Sequence, residues 1–309
     1  MKSYGQINRK YRGAAMITIE NNYYRINIDE KGSQLTNILN KKTNSEYLWN
    51  GQEWPKHAPL LFPAIGRSNK DSYLIDDQPF DMPQHGFAAD EEFEVIQKSD
   101  TAVTFELKSN ATTKLMYPFD FSLKIKYQLL STGLSISFKV TNLSSKTMPF
   151  ALGSHPAFNV PLVEGKDSFD DYYLEFTGNQ DKLQVYEIVM KPFPYRTGKL
   201  ELLPTEHKHQ VKLSRGLFSK GLRIIANQDV REVKLASNKS NQSISLKLKD
   251  FRNVCLWTKE DQPLPFLCIE PFNGLPDITG EPINWMKKDG NLFLKPAQSK
   301  LMQYEILFD

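Results

Sequence analysis

An all-β fold, built as one large antiparallel β-sandwich, is predicted by three features of the 309-residue sequence. Apolar and polar residues alternate with period two from end to end, the pattern of strands that bury one face. No apolar stripe of helical spacing runs for twelve or more residues. Eighteen prolines are scattered along the chain, which suits loops and strand edges and opposes helices. With no fixed-period repeat and no low-complexity linker, residues 16–309 read as a single domain. Residues 1–15 are polar and charged without an apolar centre, so they read as a flexible leader and not as a secretory signal.

The strands follow in order. Met16 opens the first pattern. Tyr24, Ile26 and Ile28 then alternate with Arg25, Asn27 and Asp29. Residues 93–97 and 102–107 read as a hairpin across 98–101. Phe121, Leu123, Ile125, Tyr127 and Leu129 find a partner in Leu134, Ile136, Phe138 and Val140, across a turn at 131–133. Residues 222–226, 233–236, 244–248 and 302–307 continue the series. A last hairpin joins 252–258 to 266–270. A register pairing Trp257 with Phe266 sets Cys255 against Cys268 and Asn253 against Glu270. It gives Glu270 one sheet face with Trp257, Phe266 and Cys268.

Composition narrows the function. Net charge is +3, from 39 basic and 36 acidic residues, which argues against a nucleic-acid binder. No apolar run reaches the length of a membrane span, so no membrane partner is expected. Two cysteines, Cys255 and Cys268, make neither a disulfide framework nor a metal motif, and read as reduced packing residues. The expected compartment is cytoplasmic.

Four places interrupt the strand grammar. In LLFPAIGRSNK, Arg67 follows a buried-looking run; it is either a surface arginine or a guanidinium fork aimed at oxygen ligands. In MPQHGFA, His85 sits between a proline and a glycine–aromatic pair. In ALGSHPAFNVP, His155 precedes Pro156, and the bond before a proline can be cis and aim a side chain unusually. In LCIEPFNGLPD, Glu270 ends an apolar run, where a charge is costly without a use. An aromatic beside a carboxylate on one sheet face suits a sugar: the ring takes the C–H face and the carboxylate takes hydroxyls. His57, His207 and His209 offer less, the last two lying in the polar stretch EHKHQ. No metal is expected, since the histidines and Glu270 lack i, i+4 spacing and no HExxH occurs. No GxSxG elbow or glycine-rich phosphate loop is present, and no cofactor is expected.

Taken together and in order, FPAIGR, QHGFA, SHPAFN and CIEPFNG resemble the aldose 1-epimerase (galactose mutarotase) family, and within it the LacX-like branch. DDYYLEF at 170–176 and the WTK…CIEP hairpin at 257–271 extend the resemblance over residues 17–307. It implies a β-supersandwich with one concave sugar-binding cleft and a free monosaccharide as partner. Glu270 matches the family's general base and His155 its general acid. His85 and Arg67 match sugar-holding residues, and Trp257 and Phe272 are candidates for stacking. Phe272 stands where relatives often carry tryptophan, and a further acidic ligand of some members is not placed on this sequence. The implied reaction interconverts the anomers of an aldohexose, with base and acid on opposite sides of the reacting centre. Two alternatives stay open. A phosphorylated hexose would need rim cations, for which Lys56, Lys70 and Lys220 are candidates. A binding protein on the same scaffold would need no acid–base pair.

Overall fold

In the computed structural model, which describes residues 16–163, 165–179, 181–206, 209–260 and 262–309, the alternating segments pair into antiparallel sheets. The leader at 1–15 and His207 lie outside the described residues. The larger sheet has nine strands. Its middle strand is Ser299–Phe308, hydrogen-bonded to Gly133–Asn142 on one side and to Ser243–Lys247 on the other. The predicted hairpin of Phe121–Leu129 with Gly133–Asn142 is part of it.

The second sheet carries the candidate site. Its strands, in chain order, are β1 (Leu60–Leu61), β2 (Leu152–Ser154), β3 (Ala157–Asn159), β4 (Gln184–Val189), β5 (Tyr195–Leu202), β6 (Arg223–Ile225), β7 (Asn253–Trp257) and β8 (Phe266–Asn273). In space they run β5-β4-β6-β7-β8-β2-β1, with β3 also paired to β8. The two sheets close on one core, in which Phe105, Phe138 and Tyr304 of the first meet Leu256, Leu267 and Ile269 of the second. Fully burying a side chain such as Leu267 or Ile269 contributes about 1.5–3 kcal/mol. The Tyr304 hydroxyl also donates across the sandwich to Ser154 Oγ at 2.9 Å. The one α-helix among the described residues, Ala111–Met116, is six residues long and is capped by Asn110. It is too short to leave a stripe in the sequence.

The expected register of the last hairpin is corrected by two residues. Trp257 pairs with Cys268, Cys255 with Glu270 and Asn253 with Phe272. The physical reason lies at the other edge of β8. There β3 captures its first residues, pairing Asn159 with Phe266 and Ala157 with Cys268, so β8 begins beyond the end of β7. A slip of two preserves the face of every side chain. Glu270 therefore keeps its predicted company, but the two cysteines do not face one another. Both are free and buried.

Candidate active site

Strand β8 is buried along its whole length, yet its two faces differ. Leu267 and Ile269 enter the sandwich core, while Phe266, Cys268 and Phe272 pack outside it. Alternation puts Glu270 on this outer face with them. On β7 the same rule sends Val254 and Leu256 inward and Cys255 outward. On β6 it sends Ile225 inward and Ile224 outward.

The register then aligns one row across the sheet. Ile224 pairs with Cys255, and Cys255 with Glu270. On the far side, Gly153 pairs with Phe272 and Ala157 with Cys268, so the residue midway, His155, falls opposite Glu270. Gly153 is required there: a Cβ at this position would lie 2.4 Å from that of Phe272. The row Ile224–Cys255–Glu270–His155 ends in a direct contact, with His155 Nε2 3.3 Å from Glu270 Oε1. The His155 amide donates to the Pro59 carbonyl at 3.0 Å, which fixes the backbone beside β1. Cis bonds precede Pro63, Pro161 and Pro192 and not Pro156, so His155 owes its aim to pairing.

This row floors a cavity of about 460 Å³, within the roughly 300–1,000 Å³ of small-molecule sites. Glu270, His155, His85, Trp257 and Phe272 all line it. His85 reaches it from a tight turn. Its φ is +67°, and Gly86 follows at +79°, where a Cβ would strike the Phe62 carbonyl oxygen at 2.2 Å. The turn is tied to the loop after β1: the His85 amide donates to the Gly66 carbonyl at 2.8 Å, and His85 Nδ1 accepts from the Gly66 amide at 3.2 Å. The His85 ring stands edge-on to that of His155, 5.8 Å between centroids.

Arg67 is the exception among the expected site residues. It is not a lining residue of the cavity; its guanidinium pairs with Asp71, approaches Gln84 Oε1 at 3.4 Å and lies 4.2 Å over the Phe193 ring. Phe272 is fully buried against Leu61, Ile65 and Cys255, with one edge on the cavity.

Burial sets the electrostatics. It pushes the Glu270 carboxyl well above its ordinary value, with the neighbouring Cys255 pulling it partly back. Burial pushes His155 well below its ordinary value, and His85 adds to the fall. His85 itself is held down to about 4, by burial first and then by Lys56 and Arg67. Both shifts favour the uncharged forms, a carboxylic acid beside a neutral imidazole.

Several cavity residues were missed by sequence reasoning. Trp54 packs 5.3 Å from His155 and 5.5 Å from Trp257. Its signal was an aromatic standing in a polar loop, NGQEWPKH. Gln84 and Asp90 line the polar rim with Lys56. Asp277, the last residue of LCIEPFNGLPD, forms a buried ion pair with Lys288 at 2.6 Å and accepts from the Asn69 amide at 2.9 Å. It braces the loop that carries Pro276 on the cavity wall. His155, Cys268 and Glu270 place a nitrogen, a sulfur and an oxygen within 4.8 Å of one another.

Comparison with known proteins gives a consistent result. A family profile described as aldose 1-epimerase matches residues 15–286. The chromosomal protein LacX of Lactococcus lactis subsp. lactis is 35% identical over 271 residues, covering 84% of this chain and 88% of LacX. A galactose mutarotase-like protein from Lactobacillus casei superposes with a TM-score of 0.90 at 41% identity, over 96% of this chain and all (100%) of that one. A galactose mutarotase related enzyme from Lactobacillus acidophilus follows with a TM-score of 0.87 at 28% identity, covering 96% and 97% of the two chains.

Proposed function

The chain belongs to the aldose 1-epimerase family, and on that footing we propose that it interconverts the α and β anomers of a free aldohexose. One observation carries the reading: a histidine nitrogen and a carboxylate oxygen meet at 3.3 Å on the floor of a sugar-sized cavity.

Anomer exchange opens the ring and closes it again. The anomeric hydroxyl gives up its proton as C1–O1 becomes a carbonyl. The C1–O5 bond breaks, and O5 takes a proton. Rotation about C1–C2 presents the other face of the aldehyde, and closure reverses the proton transfers. O1 and O5 are both bonded to C1, so the acid and the base need to be neighbours. A pair 3.3 Å apart meets that requirement better than the opposed arrangement expected from the sequence.

Glu270 is the base and His155 the acid in the proposed ring-opening step. Burial favours their neutral forms, and one proton hop along the 3.3 Å contact would give carboxylate and imidazolium without any change in proton count. The sugar's hydroxyls supply polar partners that favour the charged form. Each positioned transfer is worth about 10²–10⁴ in rate. His85 and Gln84 are proposed to hold hydroxyls, and Trp54 and Trp257 to cover C–H surface. Arg67 acts from behind the wall, holding Gln84 and adding to the downward shift of His85 that burial and Lys56 begin.

A phosphorylated hexose is supported less well. Lys70 and Lys220 are taken by Glu281 and Glu201. Only Lys56 of the three candidates lines the cavity, and it shares the rim with Asp90 and Glu260. The test is polarimetry on pure anomers, with Glu270→Gln as control. Faster mutarotation with the parent protein, lost in the variant, is the expected result. Sugar affinity without rate enhancement would assign a binding protein instead.

A further inference from the structure

The cavity floor carries a donor set larger than the proposed proton transfers use. His155, Cys268 and Glu270 are all buried, and a ring nitrogen, the thiol sulfur and a carboxyl oxygen lie within 4.8 Å of one another. The sheet builds the cluster. Cys268 and Glu270 are alternate residues on the outer face of β8, and Cys268 pairs with Ala157, two residues beyond His155. Glu270 and His155 line the cavity, and Cys268 lies beside them off its surface. Strand pairing, and not i, i+4 spacing, brings the three donors together, so the sequence carries no metal motif for them.

Geometry and charge both suit Zn²⁺. In a tetrahedral centre with bonds of about 2.0–2.1 Å to nitrogen and oxygen, those two atoms are about 3.3 Å apart. His155 Nε2 and Glu270 Oε1 already stand at 3.3 Å. A thiolate bonded at about 2.3 Å belongs about 3.6 Å from each, so the sulfur has to approach by at most roughly 1.2 Å. Rotation of Cys268 about χ1 can supply that shift. One thiolate and one carboxylate cancel the two charges of the ion, and the imidazole is neutral. The buried centre then carries no net charge, which removes the main cost of placing an ion there. Nitrogen and sulfur donors favour Zn²⁺ over Ca²⁺ and Mg²⁺, which take oxygen. Three protein ligands leave a fourth position for water on the cavity side.

We infer that His155, Cys268 and Glu270 form a zinc site, and that Zn²⁺ held there reversibly blocks anomer exchange. The ion occupies the lone pairs with which Glu270 takes a proton and His155 carries one. That blocking effect rests on the proposed function, whereas binding does not. On binding, the Cys268 thiol and the Glu270 carboxyl each release their proton to solvent. His155 Nδ1 is buried with no hydrogen-bond partner among the described residues. A histidine ligand usually donates its other N–H, and loss of that partner costs about 10–100-fold in metal affinity. The ion is therefore a removable occupant and not a structural one.

The experiment uses the full chain, stripped with a chelator and reloaded. Co²⁺, a spectroscopic stand-in for Zn²⁺, should give a thiolate-to-metal charge-transfer band in the near ultraviolet, and added Zn²⁺ should remove it. The band should vanish in Cys268→Ala and persist in Cys255→Ala. Cys268→Ser is the second variant, which keeps the side-chain size should the first fail to fold. Polarimetry with D-galactose and D-glucose follows anomer exchange. Zn²⁺ should inhibit the parent, and EDTA should restore it. Either Cys268 variant should keep the parent's metal-free rate and need at least about 10-fold more Zn²⁺ for half inhibition. A band that survives both Cys268 variants, or a band without inhibition of measurable exchange, overturns the inference. No band in the parent also overturns it, and exchange that proceeds regardless leaves the proposed activity standing. A Cys268-dependent band in a protein that exchanges no anomers upholds the zinc site and removes the proposed activity.

Discussion

His155 and Glu270 are neighbours by strand pairing: carrying the β2–β8 register two residues on from Gly153 and Phe272 brings imidazole and carboxyl to 3.3 Å. Neither side chain depends on a mobile loop for its position. In the proposed reaction the two act as one acid–base unit.

Glu270→Gln and His155→Asn should each lower kcat by about 10²–10⁴. The double variant should fall little further than the worse single one, because residues acting as a unit are non-additive. Polarimetric kcat values for the three variants check this. A double loss equal to the product of the two singles would separate the roles.

Stability should respond to pH with opposite signs at the two cavity histidines and at Glu270. His85 is held down to about 4 in the folded chain against an ordinary 6.5. The unfolded chain binds the extra proton first, so stability is lost as pH falls from 6.5 toward 4, by at most about 1.4 kcal/mol per pH unit. Glu270 is raised, so its contribution is complete below its ordinary 4.5 and is lost as pH rises above that value. Thermal melts across pH 4–9 should show His85→Asn flattening the acid limb and Glu270→Gln flattening the alkaline one.

The cysteines should differ in access and agree in sluggishness. Burial, then the neighbouring Glu270 carboxyl, pushes both thiols well up. Iodoacetamide at pH 8 should therefore react about tenfold or more slower than with free cysteine. Cys255 lines the cavity and Cys268 does not. Mass spectrometry should find Cys255 modified first, in step with loss of activity, and a bound sugar should protect it.

Lys288→Met leaves Asp277 buried and unpaired. It should cost about 3–5 kcal/mol in urea unfolding. Adding Asp277→Asn keeps an acceptor for the Asn69 amide and removes the stranded charge, so the double variant should recover most of the loss.

The sequence was most legible where one side chain's fate depends on its neighbours in the chain. Alternation in residues 121–142 gave a hairpin that pairs as read. Alternation also told correctly which face Glu270 occupies. Register is not a local property, and the two-residue slip at β7–β8 came from β3, a strand more than a hundred residues earlier. The same limit applies to the site. His85 and His155 stood out because a polar residue broke a pattern. Trp54 and Gln84 did not, since their place at the cavity depends on packing between distant segments. Arg67 is a different case: its type and motif point to the sugar, while in the structure Asp71 and Phe193 engage its guanidinium. The electrostatics of the pair were hidden for a further reason: they follow from burial on all sides.

The place of Ser299–Phe308 in the middle of the nine-stranded sheet has a consequence for biosynthesis. The strands it joins, Gly133–Asn142 and Ser243–Lys247, leave the ribosome earlier, and their facing edges stay unpaired until residues 299–308 arrive. Closure of the sheet is therefore a late, long-range event, of the kind that folds slowly and exposes nascent chains to aggregation and chaperone capture.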